Sequence, residues 1–381
     1  MRFLVLGGGL QGSACAYDLL RQSDVERVTL ADFRENAGAS FLPGDPRLRQ
    51  ATVDFSDSAA VADLMSEHDV VLSAAPYYFN GTMARLAIEN GCDYSDLGGN
   101  TEILFEQLDL DSSAKEAGVS VIPDAGLAPG LANVLAAEGI RRLDSVDSAK
   151  MYVGGLPQNP VPPLNYQVVY SLEGTLDYYT TPSAIIRDGK RTEIGALSEI
   201  EALEFNGLGT LEAFHTGGGA SILPWRYEGK VDRLEYKTLR YPGHADLMRN
   251  VREMGLLSDE AVDVKGQSIV PRDAFIAAVK PLLTRPDEPD LVALRVVVTG
   301  QKNGSRVTHT WNLLDREDEE AGITAMGRTT GFTLAVVGLM MGRDVIDATG
   351  VMPPDTGIPT EFYLAEMAKR GIAAEYRQET G

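Results

Sequence analysis

Three glycines near the start of the chain have the spacing of a phosphate-binding turn. Gly7, Gly9 and Gly12 follow an apolar run, residues 3–6, that we predict to be a buried strand. The first glycine permits a sharp turn, the second lets the backbone approach a pyrophosphate, and the third lets the next helix pack closely on the strand. A glycine-rich turn that binds nothing is the alternative. The expected strand and helix on either side favour dinucleotide binding.

An acidic residue at the end of the second expected strand indicates which dinucleotide binds. Asp32 lies twenty residues after Gly12. A carboxylate there suits the two hydroxyls of an adenosine ribose and repels a 2′-phosphate, so we expect NAD rather than NADP. The nearby cation Arg34 favours the opposite choice. Leu10 and Gln11 lie at the N-terminus of the first helix, where free N–H groups bind phosphate.

Later strands of the same region also end in residues suited to a cofactor or a substrate. In an open parallel sheet, ligands bind in the crevice at the carboxyl ends of the strands. Each acidic residue there has an alternative role as a loop cap or turn former. The expected cofactor contacts are Asp54, Ser73, Ala74 and Pro76, and the expected substrate contacts are Tyr77 and Asp124. Asp96 and Asn100 are expected to contact either the cofactor or the substrate.

A cluster in the second half of the chain, residues 236–244, combines two cations, phenols and an imidazole. Arg240 is suited to bind a substrate carboxylate in a bidentate manner, with Tyr241 beside it. His244 is our first candidate for a general base and Asp96 the second. Lys237 is a third candidate if burial lowers its pKa. A glycine-rich stretch at 207–218 is expected to be an irregular loop that borders the pocket or turns at the surface.

The arrangement of elements predicts an α/β fold with two domains. Alternating strands and helices predict an N-terminal Rossmann domain, built from residues 1–125 plus about 321–350, where a late apolar helix returns. Residues 126–320 are expected to form an α+β substrate and dimerisation domain on a largely antiparallel sheet, with Tyr166 to Tyr170 as one of its strands. Asn303-Gly304 between two strand-like runs predicts a hairpin in that sheet.

Composition excludes several classes of protein. The 381-residue chain carries a net charge of −21, which disfavours nucleic acid and anionic membranes as partners. Cys15 and Cys92 are the only cysteines, which suits a reducing cytoplasm. The four histidines are scattered and far from the cysteines, so no metal site is expected.

With these residues in hand, the sequence resembles the saccharopine dehydrogenase-like family, and most of all its lysine 6-dehydrogenase branch. The resemblance runs in order through most of the chain, and Asp124 to Gly130 and Lys237 to His244 are its most specific segments. The segments are Val5 to Gly12 with Asp32, Ser73 to Tyr77, Asp96 to Gly99, Asp124 to Gly130, Phe205 to Phe214, and Lys237 to His244.

The resemblance implies a homodimeric oxidoreductase with a small amino-acid substrate. It implies oxidative deamination of L-lysine at the ε-amine, giving ammonia and allysine, which cyclises to piperideine-6-carboxylate. An ε-ammonium has a reference pKa of about 10.4, so the site has to remove its proton before oxidation. Saccharopine dehydrogenase and a carboxynorspermidine-type reductase are alternatives within the family. A non-catalytic NAD-binding sensor is the alternative from another class.

Overall fold

The computed structural model describes all 381 residues of the chain. The strands are β1 (Arg2–Leu6), β2 (Arg27–Asp32), β3 (Leu48–Thr52), β4 (Val70–Ser73), β5 (Asp93–Asp96), β6 (Ser120–Ile122), β7 (Ser145–Pro157), β8 (Ser183–Arg187), β9 (Lys190–Ile194), β10 (Glu201–Phe205), β11 (Gly209–His215), β12 (Val231–Arg240), β13 (Val262–Val264), β14 (Gln267–Ile269), β15 (Asp290–Lys302), β16 (Ser305–Arg316), β17 (Gly350–Val351) and β18 (Glu375–Thr380).

Thirteen α-helices and one 3₁₀ turn, Tyr77–Phe79, connect these strands. No helix has both the length and the apolar character needed to cross a membrane. The helices are α1 (Leu10–Leu20), α2 (Ser58–Met65), α3 (Asn80–Glu89), α4 (Thr101–Leu108), α5 (Asp111–Ala117), α6 (Leu131–Arg141), α7 (Leu172–Thr180), α8 (Leu223–Arg226), α9 (His244–Glu253), α10 (Pro271–Leu283), α11 (Ala325–Gly342), α12 (Pro354–Gly357) and α13 (Thr360–Lys369).

The N-terminal part of the chain forms a seven-stranded parallel sheet. Its order is β17-β6-β5-β4-β1-β2-β3, so the strand order reverses beside β1, as in a Rossmann fold. Residues 3–6 of β1 are fully buried because helices cover both faces of the sheet, as their continuous apolar pattern predicts. The reversal opens a crevice where β1 and β4 end, and the glycine turn follows β1 there.

Helix α11 returns to this first sheet and packs against α1. The contact is so close that a Cβ atom on Gly331 would lie 2.5 Å from the carbonyl oxygen of Gln11 and 2.7 Å from the Cβ of Ala14. Further along, Gly338 lies against Leu72 of β4, and β17 then adds a seventh strand. These contacts support our proposal that residues near 321–350 belong with the first domain.

The second sheet has nine strands and is mixed, with mostly antiparallel pairs. Its main path is β10-β11-β12-β7-β15-β16-β18, and only the β12–β7 pair is parallel. Strands β15 and β16 meet at Asn303-Gly304, as the hairpin prediction required. The expected α/β fold with a largely antiparallel second sheet is therefore confirmed.

Two local predictions in the second domain were wrong. Residues 207–218 were expected to be an irregular loop, but most of them form β11, because they pair along β10 and β12. Residues 166–170 were expected to be a strand, but they form none and lead into helix α7 instead. The hydroxyl of Ser171 accepts a hydrogen bond from Gly174 N–H and so caps that helix.

We expect Gly331→Val to destabilise the protein by about 1–3 kcal/mol, because the added side chain overlaps the backbone of α1. The midpoint of urea unfolding measures this change. Gly44→Val is the matched control, since a Cβ atom at Gly44 meets no atom within 4 Å. Equal midpoints for the two variants would contradict the importance assigned to this helix contact.

Candidate functional site

A cavity of about 560 Å³ lies between the two domains. Its floor comes from the ends of the parallel strands, through residues 74–78, 97–98 and 126–129. Its walls come from α7, β7 and β12 of the second domain and from Met326 and Thr330 of α11. A cavity of this size and interdomain position is typical of a site for a small molecule.

The glycine turn borders this cavity and has the geometry that a dinucleotide needs. Gly7 has a φ of +97°, and a Cβ there would lie 2.7 Å from the carbonyl oxygen of Ala74. A Cβ on Gly12 would overlap the carbonyl oxygen of Gly7, whereas a Cβ on Gly9 would meet no atom within 4 Å. The space at Gly9 is therefore open for a phosphate. Gln11 lines the cavity, and its buried amide nitrogen has no hydrogen-bond partner.

Asp32 ends β2 beside the glycine turn, but its carboxylate is already occupied. It accepts hydrogen bonds from Gly8 N–H at 2.8 Å and from the guanidinium of Arg34 at 3.0 and 3.2 Å. Burial acts to raise the pKa of Asp32, but the hydrogen bonds from Arg34 and Gly8 outweigh it and hold that pKa below its usual value. The Arg34 side chain is 56% exposed, so a cation faces solvent where the adenosine ribose is expected.

Strand β12 directs alternate side chains to opposite faces of the second sheet. Tyr236, Thr238 and Arg240 line the cavity. Lys237 points to the other face, where its ammonium pairs with Glu201 at 2.9 Å. The structure therefore corrects the prediction that Lys237 is a catalytic base, because a strand places consecutive side chains on opposite faces of the sheet.

Arg240 is buried in the cavity wall without a carboxylate partner. It is 4% exposed and forms no ion pair. Its Nε donates to the Tyr179 hydroxyl at 3.1 Å, its Nη1 donates to two backbone carbonyls, and its Nη2 makes no hydrogen bond within the protein. The guanidinium also stacks 4.7 Å from the ring centre of Tyr166. A buried cation normally has a partner, so this one is suited to an anionic ligand.

Helix α7 forms an adjoining wall of the cavity and brings acidic and phenolic groups. Glu173 and Asp177 line the cavity, and each forms a salt bridge with a cation of α10. Lys280 pairs with Glu173 at 3.2 Å, and Arg272 pairs with Asp177. Six tyrosines also line the cavity, so phenols are its commonest polar groups. They are Tyr77, Tyr78, Tyr170, Tyr178, Tyr179 and Tyr236.

Sequence reasoning missed the α7 wall, because the tyrosines before it were interpreted as strand residues. The Ser171 cap, followed by Glu173 in the first helical turn, was the available signal.

Asp124 does not itself line the cavity but lies beneath its floor, where its carboxyl group contacts Gly98, and its environment changes its acidity. Its backbone is left-handed, with a φ of +60°, and its side chain is buried. Ser221 donates its hydroxyl to one carboxyl oxygen, and Gly99 N–H donates to the other at 3.3 Å. Burial, together with the charge of Asp96, raises the pKa of Asp124 to about 7. A carboxyl group with this pKa can accept or release a proton near neutral pH.

Asp96 is a structural residue rather than a base that reaches substrate. It is fully buried and accepts hydrogen bonds from Gly98 N–H at 2.8 Å, Asp124 N–H at 3.1 Å and Gln107 at 2.6 Å. Its carboxylate therefore shapes the loops that carry Gly98 and Asp124. Burial raises the pKa of Asp96, and its hydrogen bonds oppose that shift.

His244 and Tyr241 lie away from the cavity, which corrects both predictions. The ring nitrogens of His244 bond the Leu164 carbonyl and the Tyr179 hydroxyl, each at 2.9 Å. Burial and the charge of Arg240 lower the pKa of His244 to about 3, so it stays neutral. Tyr241 donates to the carbonyl of Pro157. The chain turns at Gly243 before His244 because Glu212 caps α9 by accepting hydrogen bonds from two backbone N–H groups.

The remaining expected contacts divide between the cavity and other places. Ala74, Pro76 and Tyr77 line the cavity. Ser73 is fully buried and donates to Asn80, and Asp54 lies at the surface with Ser56, so neither lines the cavity. Leu10 is 42% exposed at the start of α1. Asn100 caps α4 and borders a neighbouring cavity.

One cluster on the far face of the second sheet has metal-ligating residue types. Ligand atoms of Glu199, His215 and Glu235 lie within 4.8 Å of one another. Arg187 pairs with Glu199 at 2.8 Å, and Lys150 pairs with Glu235 at 3.3 Å. Because the carboxylates already have cationic partners, the cluster is an ion-pair network that does not suit a divalent metal.

Comparison with family models covers nearly the whole chain. Residues 3–122 match the model described as "Saccharopine dehydrogenase NADP binding domain". Residues 126–372 match "Saccharopine dehydrogenase C-terminal domain". The boundary between the matches falls where β6 ends and the Asp124 loop begins.

Curated relatives carry related names. Saccharopine dehydrogenase [NADP(+), L-glutamate-forming] is 25% identical over 299 residues in Pyricularia oryzae and 25% identical over 281 residues in Saccharomyces cerevisiae. The matches span 76% and 71% of this chain and 65% and 62% of those proteins. Mitochondrial alpha-aminoadipic semialdehyde synthase of Bos taurus is 26% identical over 274 residues, which span 68% of this chain and 29% of that protein. The matched region is thus less than two thirds of each relative.

Solved structures share the fold. Apo saccharopine dehydrogenase (L-Glu forming) from Saccharomyces cerevisiae aligns over 99% of both chains, with a TM-score of 0.83 and 20% identity. Homospermidine synthase from Legionella pneumophila, in complex with NAD, aligns over 100% of this chain and 91% of that one, with a TM-score of 0.72 and 11% identity. At these identities the likeness concerns the fold alone.

The expectation of NAD is wrong. The matching N-terminal model is an NADP-binding domain, and the fungal relatives are named as NADP(+) enzymes. The physical reason lies in the pair formed by Asp32 and Arg34. A carboxylate neutralised by an arginine no longer repels a 2′-phosphate, and an exposed guanidinium attracts one.

We expect Arg34→Ala to weaken NADP⁺ binding by about tenfold or more, since hydrogen bonds to charged groups contribute about 1.5–3 kcal/mol. Binding of NAD⁺, which lacks the 2′-phosphate, should change much less. Titration calorimetry with both dinucleotides measures the difference. Arg377→Ala on exposed strand β18 is the control. An equal loss of affinity for the two dinucleotides in Arg34→Ala would contradict this role.

Proposed function

Because the chain belongs to the saccharopine dehydrogenase family, we propose that it is an NADP-dependent oxidoreductase acting on the carbon–nitrogen bond of a lysine-derived amino acid. The observation that carries the proposal is the unpaired cation of Arg240. It lies in the wall of the interdomain cavity that the glycine turn also borders. A non-catalytic sensor has no need of a buried carboxylate anchor beside its dinucleotide.

The residues of the chain bind and orient the substrate in this proposal. Arg240 holds the substrate α-carboxylate through its free Nη2 group. Glu173 and Asp177 on α7 line the same cavity, each already paired with a cation of α10. The tyrosines exclude water, which strengthens these charge interactions. Bound NADP⁺ supplies the ring that accepts hydride from the carbon next to nitrogen.

We propose that Asp124 accepts the substrate proton from beneath the cavity floor, where its carboxyl group contacts the cavity-lining Gly98. An ammonium must lose a proton before its carbon can be oxidised, and a carboxylate with a pKa of about 7 can accept it at physiological pH. The Ser221 hydroxyl holds the carboxyl group in place. Asp124 thus replaces His244, which has no free ring nitrogen.

L-Lysine is our first candidate substrate, because Arg240 is the only cationic side chain that lines the cavity. One cation suits a substrate with one carboxylate. Saccharopine is the second candidate, favoured by the names of the relatives and by a cavity of about 560 Å³, which has room beyond a lysine. We also propose a homodimer, as the family resemblance implies, and light scattering of the purified protein tests it.

The first test is NADPH formation with purified protein, NADP⁺ and either L-lysine or saccharopine. We expect a rise in absorbance of reduced nicotinamide with one of these substrates, and a smaller rise when NAD⁺ replaces NADP⁺. A rise with L-lysine supports oxidative deamination, and a rise with saccharopine alone moves the chain to the second candidate. No turnover with either substrate would contradict the proposed function.

Arg240→Gln should raise the KM for the amino-acid substrate by about tenfold or more, because a charged hydrogen-bond donor contributes about 1.5–3 kcal/mol. Steady-state kinetics at saturating NADP⁺ measures the change. Lys237→Gln, on the opposite face of the same strand, is the matched control and should leave the KM nearly unchanged. A KM that rises equally in both variants would assign the effect to the strand rather than to the carboxylate anchor.

Asp124→Asn should remove an ionisation from the pH profile. In the native protein the Asp124 pKa of about 7 leaves the carboxyl protonated below that pH and able to accept a proton above it. The kcat/KM for amine oxidation should therefore rise with pH through about 7, and the variant should lack this rise while its activity falls by about 10²–10⁴-fold. An unchanged profile would rule out Asp124 as the base.

A further inference from the structure

Asp124 lies between two cavities. On one side its carboxyl group contacts Gly98, which lines the interdomain cavity of about 560 Å³, here called the first cavity. On the other side the carboxyl group accepts hydrogen bonds from Gly99 N–H and from the Ser221 hydroxyl. Both of these residues line a second cavity of about 520 Å³. Ser221 therefore provides a hydroxyl between the proposed base and the second cavity.

The second cavity opens to solvent and has acidic walls. Its lining includes the exposed residues Glu102 from the first domain and Glu193 from the second. No lysine, arginine or histidine lines it, and neither glutamate forms an ion pair. A cavity of this size with polar walls has the space and the hydrogen-bonding groups that water needs. Uncompensated carboxylates also stabilise a positive charge on that water.

The proposed reaction needs an exit for a proton. Asp124 takes one proton from the substrate ammonium in each turnover and has to lose it before the next one. The tyrosines exclude water from the first cavity, so that side offers the proton no direct path to solvent. Asp124 is 3% exposed and lines neither cavity. A second group therefore has to connect its carboxyl group with solvent.

The geometry of the pair is fixed by the backbone around it. Asp124 and Ser221 both have left-handed backbones, with φ values of +60° and +51°, which cost free energy in residues other than glycine. Ser221 N–H donates to the Gly218 carbonyl at 3.2 Å, and the Asn133 side chain donates to the Gly219 carbonyl at 3.2 Å. A glycine at 221 would relieve the strain but would remove the hydroxyl. The strained conformation thus places a hydroxyl, rather than only a turn, beside Asp124.

We propose that the Ser221 hydroxyl relays the proton from Asp124 to water in the second cavity. This inference rests on the proposed function and names a further residue that the reaction uses. Once Asp124 is protonated, the hydrogen bond reverses and the carboxyl O–H donates to Ser221 Oγ. The hydroxyl proton of Ser221 is then free to point toward the second cavity.

The relay conserves every atom and needs no further reactant except water. The O–H bond of the Asp124 carboxyl breaks while a new O–H bond forms at Ser221 Oγ. The original hydroxyl proton passes to a water molecule, which becomes hydronium. Asp124 is then a carboxylate again and Ser221 keeps its hydroxyl. The step applies equally to L-lysine and to saccharopine, because oxidation of either amine releases one net proton.

The first test compares Ser221→Gly with Ser183→Ala at a pH above the Asp124 pKa. Glycine suits the left-handed backbone at 221, so this variant should fold. Ser183 is a second buried serine that lines the same cavity, but it makes no hydrogen bond to Asp124. We expect the kcat of Ser221→Gly at saturating substrate and NADP⁺ to fall by about tenfold or more. The kcat of Ser183→Ala should stay near that of the native protein.

Chemical rescue separates a relay from a merely structural role. Imidazole is small enough to enter the second cavity and accepts protons near neutral pH. It should restore most of the lost kcat in Ser221→Gly and leave the native kcat unchanged, whereas the larger, anionic buffer HEPES should restore nothing. An unchanged kcat in Ser221→Gly, a loss that imidazole does not restore, or an equal loss in Ser183→Ala would overturn the inference.

A measurement without turnover separates the relay from the proposed function. A light-triggered rise in pH is applied to the protein saturated with NADP⁺. The infrared band of the protonated Asp124 carboxyl, identified by its absence in Asp124→Asn, then reports proton release. We expect the band to disappear about tenfold more slowly in Ser221→Gly than in the native protein or in Ser183→Ala.

The two results are independent of each other. Slower release in Ser221→Gly, with no turnover of either substrate by the native protein, supports the relay and contradicts the proposed function. Turnover by the native protein, with an unchanged rate of release in Ser221→Gly, keeps the oxidoreductase and overturns the relay.

Discussion

The close contact between α1 and α11 is the constraint on which the rest of the structure depends. A glycine at 331 lets a helix from the C-terminal part of the chain lie directly on the helix that follows the glycine turn. The same two helices bring Gln11 and Thr330 to one cavity. The dinucleotide turn and the part of the cavity wall that α11 provides are therefore held in register by backbone proximity, which tolerates no added side chain.

The two-residue period of β12 separates chemistry that looks continuous in the sequence. Arg240 enters the cavity, while Lys237 joins an ion-pair network on the far face. On the cavity side Arg240 is the only cationic lining residue, and it has no carboxylate partner. The polarity of the site thus follows from strand geometry as much as from residue type.

Much of the fold could be predicted from local patterns, but the wall of the site could not. The glycine turn, the parallel strands, the hairpin at Asn303 and the late apolar helix all have short-range signals. The buried position of His244 depends on Glu212 and Tyr179, which are distant in the chain, and no spacing rule identifies them. The cofactor prediction failed for a similar reason, since the effect of Asp32 depends on whether the Arg34 guanidinium reaches it.

The loop after β5 determines where the carboxyl group of Asp124, a residue of another loop, can lie, because Gly98 contacts that group. A Cβ atom at Gly98 would overlap the Asp124 carboxyl group, so the absence of a side chain there is what lets that carboxyl occupy its buried position. Proton affinity in this fold is then adjustable without changing any ionisable residue. Evolution could shift the working pH of such an enzyme by remodelling a glycine loop while every acid and base stayed the same.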